Sequence, residues 1–126
     1  MKEEIKQLLR RSRVFEGDAR NNFNNGDYDV ALFHIEQAIQ LMLKAKLLDI
    51  IGSYPRTHSL RKLIKELNTH LTDHRLEEIL VKYKTTLRDL ERAYISARYF
   101  YEEFFEDEVL KAFKLYEELW EILWKD

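Results

Sequence analysis

The chain has 126 residues, 45% hydrophobic and 35% charged, with a formal net charge of −2. That is the size of one domain with one hydrophobic core, and the near balance of charge argues against a general nucleic-acid binder. Three glycines, one proline and no cysteine exclude a sheet with many tight turns, disulfides, thiolate metal sites and cysteine nucleophiles.

The opening MKEEIKQLLRR is charged from its second residue, so no secretory leader is expected. The most apolar stretch, around Ile39 to Ile51, is broken by Gln40, Lys44, Lys46 and Asp49. No membrane span is expected, no membrane partner, and a cytoplasmic location.

In chain order, Ile5, Leu8, Leu9, Phe15, Ala19 and Phe23 recur at helical spacing and predict a first helix from about Lys2 to Asn24. Asn24-Asn25-Gly26-Asp27 is a turn signal, with Gly26 stopping one helix and Asp27 placed to cap the next. A second helix is predicted from Tyr28 to about Ile51. Its apolar face of Tyr28, Ala31, Ile35, Ala38, Ile39, Met42 and Ala45, widened by Leu32, Leu43 and Leu47, suits a central element. Gly52-Ser53-Tyr54-Pro55 breaks the chain.

A short third helix is predicted over Ser59 to Asn68, with Leu60, Leu63, Ile64 and Leu67 inward. Thr69 to Asp73 is read as a turn in which Thr72 or Asp73 caps a fourth helix. That helix is predicted to be long, His74 to Tyr101. Leu76, Leu80, Tyr83, Leu87, Leu90, Tyr94, Ala97 and Tyr101 form a heptad seam along it. The last runs from about Glu106 to Trp124 with two stripes, one of Val109, Phe113, Tyr116, Trp120 and Leu123, the other of Leu115, Leu119 and Ile122. A terminal helix in a small bundle needs one buried stripe, so Leu115, Leu119 and Ile122 are expected to pack against another subunit. The expectation is an all-α, up-and-down bundle of four to five helices forming one domain over residues 1–126.

Three motifs come in order on these helices. The first is Gly26-Asp27-Tyr28, Ala31, Gln37-Ala38, Lys44-Ala45 and Leu47. The second is Thr57-His58-Ser59-Leu60. The third is Tyr94 through Arg98-Tyr99. Together they resemble the HEPN family, whose helices carry a gDY…A…QA…KA.L segment, a tHdL segment and a Y…RYP segment. The resemblance covers nearly the whole chain. It departs at Gln40, where the family often has Glu, and at Phe100, where it usually has Pro. Without that proline the fourth helix is expected to continue past Arg98.

The resemblance implies a helical homodimer that partners a minimal nucleotidyltransferase, as in toxin-antitoxin-like pairs, with a nucleotide as candidate ligand. Ligand- or partner-binding candidates carried over are Arg98, Tyr99, His58, Lys44 and Gln37. Ribonuclease branches of the family place a histidine after an arginine, with four to six residues between. RNA cleavage needs a base for the 2′-hydroxyl and a cation for the phosphate. Here the required positions hold Glu103, Phe104 and Phe105. No catalytic residue is therefore assigned, and RNA is not an expected partner. The alternative is a degenerate or unconventional ribonuclease. No cofactor or metal is expected, because the spacing of His70 and His74 straddles a helix boundary.

Plainer roles stand beside these. Arg98 is read either as a salt bridge to Glu102 or Glu36, or as a phosphate or carboxylate clamp. His58 can tie its loop to a neighbouring helix. Lys44 can snorkel. The basic residues Lys84, Arg88 and Arg92 are read as a solvated face.

Overall fold

The computed structural model describes residues 1–125. Six helices succeed one another: α1 (Glu3–Asn24), α2 (Tyr28–Ile51), α3 (Leu60–Leu71), α4 (His74–Lys82), α5 (Lys84–Tyr99) and α6 (Glu106–Leu123). There is no strand among the described residues, and none of their helices is long and apolar enough to cross a membrane.

The breaks have local causes. Gly26 adopts φ 79° in the α1–α2 turn, and the Asp27 amide bonds back to the Asn22 carbonyl at 2.9 Å. Gly52 ends α2 in the left-handed conformation, φ 79° and ψ 5°, with its amide on the Leu48 carbonyl. Left-handed backbone at that position favours glycine. Ser59 caps α3 by accepting from the Lys62 amide, and Asp73 caps α4 by accepting from the Arg75 amide; each satisfies an amide the helix itself leaves free.

The core is built around α2, which packs on α1, α3, α5 and α6. Ala31, Leu32, Ile35, Ala38, Ile39, Met42, Leu43, Ala45 and Leu47 are fully enclosed. The α1–α6 contact is polar at its centre. Ser12 Oγ donates to the Ala38 carbonyl at 2.7 Å and lies 3.0 Å from the Tyr116 hydroxyl, all three buried. Outside this, the Arg13 guanidinium sits 3.6 Å from the Trp120 ring centroid, and Arg20 lies over Phe113. Cation–π contacts of this kind hold the seam closed.

Three expectations are corrected. The fourth predicted helix is two: Tyr83, buried with φ −107° and ψ 25°, leaves helical geometry between α4 and α5. Helical hydrogen bonds continue on both sides, from the Tyr83 amide to Ile79 and from the Leu87 amide to Tyr83, so the element is kinked. Its far end also stops early. Phe100 is extended (φ −165°, ψ 158°) although no proline stands there. The buried side of α5 after Leu90 is Ala93 and Ser96, while Ala97 and Tyr101 of the expected seam are exposed. A straight helix drifts off a strict seven-residue repeat.

The third correction concerns the expected subunit contact. Leu115 and Leu119 are 0% exposed within this one chain, because α6 packs against α2, α5 and α4 together. Those two leucines are consumed in the core and have no surface to offer. Ile122 is half-buried, in a shallow groove with Arg75 and Lys82.

Candidate functional site

Along one side of α2 run Phe33, Glu36, Gln37, Gln40 and Lys44, spaced so that each lies within about one turn of the next. Opposite them, α5 presents Tyr94 and Arg98, and the α2–α3 connection brings up Tyr54 and His58. The Tyr94 ring is the hub. Its centroid is 4.8 Å from that of His58 and 6.4 Å from that of Phe33, and the Arg98 guanidinium lies over it at 4.1 Å.

Glu36 is only 1% exposed. One carboxylate oxygen accepts from Gln37 Nε2 at 2.7 Å and the other from Gln40 Nε2 at 2.6 Å. Burial pushes its pKa up to about 7; the two amides, and the charges of Arg98 and Lys44 beyond them, offset this only in part. Lys44 Nζ donates to Gln40 Oε1 at 3.4 Å and faces the Tyr54 ring at 5.4 Å. Burial lowers its pKa, with Glu36 acting the other way.

Of the five residues singled out in the sequence, four gather here. Arg98 and His58 contact the Tyr94 ring, and Gln37 and Lys44 reach Glu36 directly or through Gln40. Tyr99 does not join them: it is 76% exposed, one step further around α5. Arg98 makes no ion pair within 4 Å among the described residues; of the partners expected for it, Glu102 is held by Arg92 at 2.9 Å and Glu36 by Gln37 and Gln40. The guanidinium is thus exposed and fixed over an aromatic ring, with its hydrogen-bonding edge uncommitted. That is a geometry suited to phosphate or carboxylate.

Sequence reasoning named Glu36 only as a possible ion-pair partner of Arg98 and missed its burial at the centre of this group. A signal was there. Leu32, Glu36, Gln40, Leu43 and Leu47 share one helical stripe, so the leucines already counted inward carry the glutamate with them. Chemically, Glu36 is a poor base for an external substrate, since both oxygens accept hydrogen bonds and the side chain is buried.

The other histidines take plain roles. His34 Nδ1 lies 2.6 Å from Asn22 Oδ1. His70 and His74 belong to different helices, each beside a glutamate of its own helix, Glu66 at 3.4 Å and Glu78 at 3.7 Å. Among the described residues, no three His, Asp or Glu side chains are grouped to hold a metal ion.

Comparison with curated proteins and with solved structures finds no match. A model of the HEPN domain matches residues 5–126. With the three motifs lying on α2, at the start of α3 and on α5 of an all-helical bundle, that match over nearly the whole length shows that the chain belongs to the HEPN domain family.

Proposed function

We propose that this HEPN domain is a non-catalytic binding module, a partner of a minimal nucleotidyltransferase, which takes the phosphate of a nucleotide between Arg98, Lys44 and His58. The observation that carries this reading is the unpaired guanidinium of Arg98 seated on the Tyr94 ring. An arginine so placed is pre-organised for an anion at little entropic cost. The nucleotidyltransferase partner rests on the family resemblance. Nearby apolar exposure on Val30, Ile95 and Tyr99 supports a homodimer formed along α2 and α5, in place of one through the buried Leu115 and Leu119.

Thermal unfolding against a panel of nucleotides tests the binding reading. A ligand at 100 times its Kd stabilises the native state by about 2.7 kcal/mol. ATP or AMP is expected to raise the midpoint of the wild type and to leave Arg98→Ala unmoved. A panel without any shift, or one with equal shifts in both proteins, contradicts it.

One observation favours the alternative, an unconventional ribonuclease. Arg98 and His58 contact the same Tyr94 ring, so the fold supplies in space an arginine–histidine pair that the sequence lacks in line. The exposed His58 imidazole would serve as the base and Arg98 as the phosphate cation.

A further inference from the structure

The end of the bundle where α1 turns into α2 and α5 passes into α6 carries two adjoining clefts, of about 360 and 260 Å³. They share Asp29, Tyr101 and Glu102. Residues 100–105 between α5 and α6 form their common wall. The segment has no helical or strand structure, and its two ends are extended, Phe100 at φ −165°, ψ 158° and Phe105 at φ −119°, ψ 162°.

The backbone of that wall is uncommitted. Among the described residues, the amides and carbonyls of residues 101–104 make no hydrogen bond; only the flanking Phe100 and Phe105 amides do, to the Ser96 carbonyl and Glu108 Oε1. Amides and carbonyls left without partners are what an incoming extended chain pairs with. Three aromatic side chains on the same segment, Phe100, Tyr101 and Phe105, are exposed, Tyr101 to 78%.

The charge lining the smaller cleft, around Tyr101 and Phe105, has one sign. Asp27, Asp29 and Glu103 make no ion pair among the described residues, and Glu106 and Asp107 come directly after at the start of α6. The α6 carboxylates are already accounted for by the helix dipole. Asp29 and Glu103 are not, and both line a cleft. Of the nearest cations, Arg92 is paired with Glu102, and Arg98 lines the larger cleft only, outside the smaller one.

These features select the occupant. Nucleic acid is repelled by the carboxylates. A second copy meeting this end about a two-fold axis would set the same carboxylates against themselves. A cationic chain meets carboxylates and aromatic faces together, the combination that holds lysine and arginine side chains.

We propose that this end of the bundle docks an extended, lysine- or arginine-bearing segment of a protein partner, paired with the backbone of residues 101–104 and with its cations on Tyr101 and Phe105. The segment seats in the smaller cleft, which neither Arg98 nor His58 lines, so the proposal stands whether or not a nucleotide binds at Arg98.

The test pans a random dodecapeptide phage library on the immobilised full chain, then measures the enriched peptides by fluorescence anisotropy. The targets are the wild type, Tyr101→Ala and Glu103→Lys. Both positions are exposed, and circular dichroism melts verify that the variants fold. The expected result is a consensus of basic residues alternating with apolar ones. Its affinity should fall about tenfold in either variant and weaken with salt. Three results would overturn the proposal: no consensus or an acidic one; basic peptides that bind both variants as tightly as the wild type; or a labelled single-stranded RNA that displaces the peptides from this end. Self-association abolished by Glu103→Lys would overturn it as well, by giving the surface to a second copy.

Discussion

Replacing the buried Glu36 with glutamine is expected to make the protein more stable above neutral pH, and the structure gives the size. Glu36 holds its proton more tightly in the folded chain, up to about 7, than at its ordinary 4.5. Below pH 4.5 both states are protonated and the group costs nothing. As pH rises from 4.5 to about 7 the unfolded chain releases the proton first, and stability falls; above about 7 the full cost stands. At about 1.36 kcal/mol per pH unit that cost is roughly 3 kcal/mol. Glu36→Gln stays neutral throughout. It needs Gln37 or Gln40 to turn its amide over, a loss of about 1 kcal/mol or less. At pH 8 the variant should therefore unfold higher than the wild type by roughly 2 kcal/mol, or on the order of 10 °C in a domain of this size. At pH 4.5 the two should nearly coincide. Thermal unfolding by circular dichroism across pH 4.5–8.5 reads both. Parallel pH profiles for the two proteins, or a variant less stable at pH 8, would refute the reasoning.

The packing sets three further outcomes. Leu119→Ala opens a cavity in the core and should lower stability by about 2–5 kcal/mol in urea titration, with no loss of any dimer; dissociation without destabilisation would restore the α6 contact that burial removes. Ser12→Ala leaves the Tyr116 hydroxyl and the Ala38 carbonyl without their shared partner and should cost about 1–3 kcal/mol, whereas Tyr116→Phe should cost less, because Ser12 keeps the carbonyl. Ile95→Glu on α5 should turn a dimer into a monomer by native mass at unchanged melting temperature; an unaltered dimer would move the contact to another face.

The helices were legible because their stops are chemical. Gly26, Gly52, Ser59 and Asp73 end or begin helices in the structure where the sequence placed them. The kink at Tyr83 was not legible, since Val81-Lys82-Tyr83-Lys84 contains no glycine or proline and nothing local requires a break. There the buried ring and the packing of α4 chiefly onto α3 and of α5 chiefly onto α2 decide. The early end of α5 is of the same kind, because Phe100 is free to be helical and is not. Periodicity found both stripes of α6 but could not say how many neighbours the helix has. Leu115 and Leu119 were read outward for that reason. At the candidate site, the motifs drew attention to Arg98, His58, Lys44 and Gln37, which the fold gathers on two hubs, Tyr94 and Glu36. Neither was read as a hub: Tyr94 was counted as a seam and motif residue, and Glu36 was named only as a possible partner of Arg98, though it is a charge on an apolar face.

The distinction between a binding module and an enzyme turns on one measurement, incubation of the purified chain with 5′-labelled single-stranded RNA beside its Arg98→Ala and His58→Ala variants. With no histidine after Arg98 at the ribonuclease spacing and with Glu36 sealed behind two glutamines, the RNA should remain intact, or any trace of cleavage should be the same in all three proteins. Cleavage by the wild type that disappears in both variants would contradict the account and make Arg98 and His58 a catalytic pair.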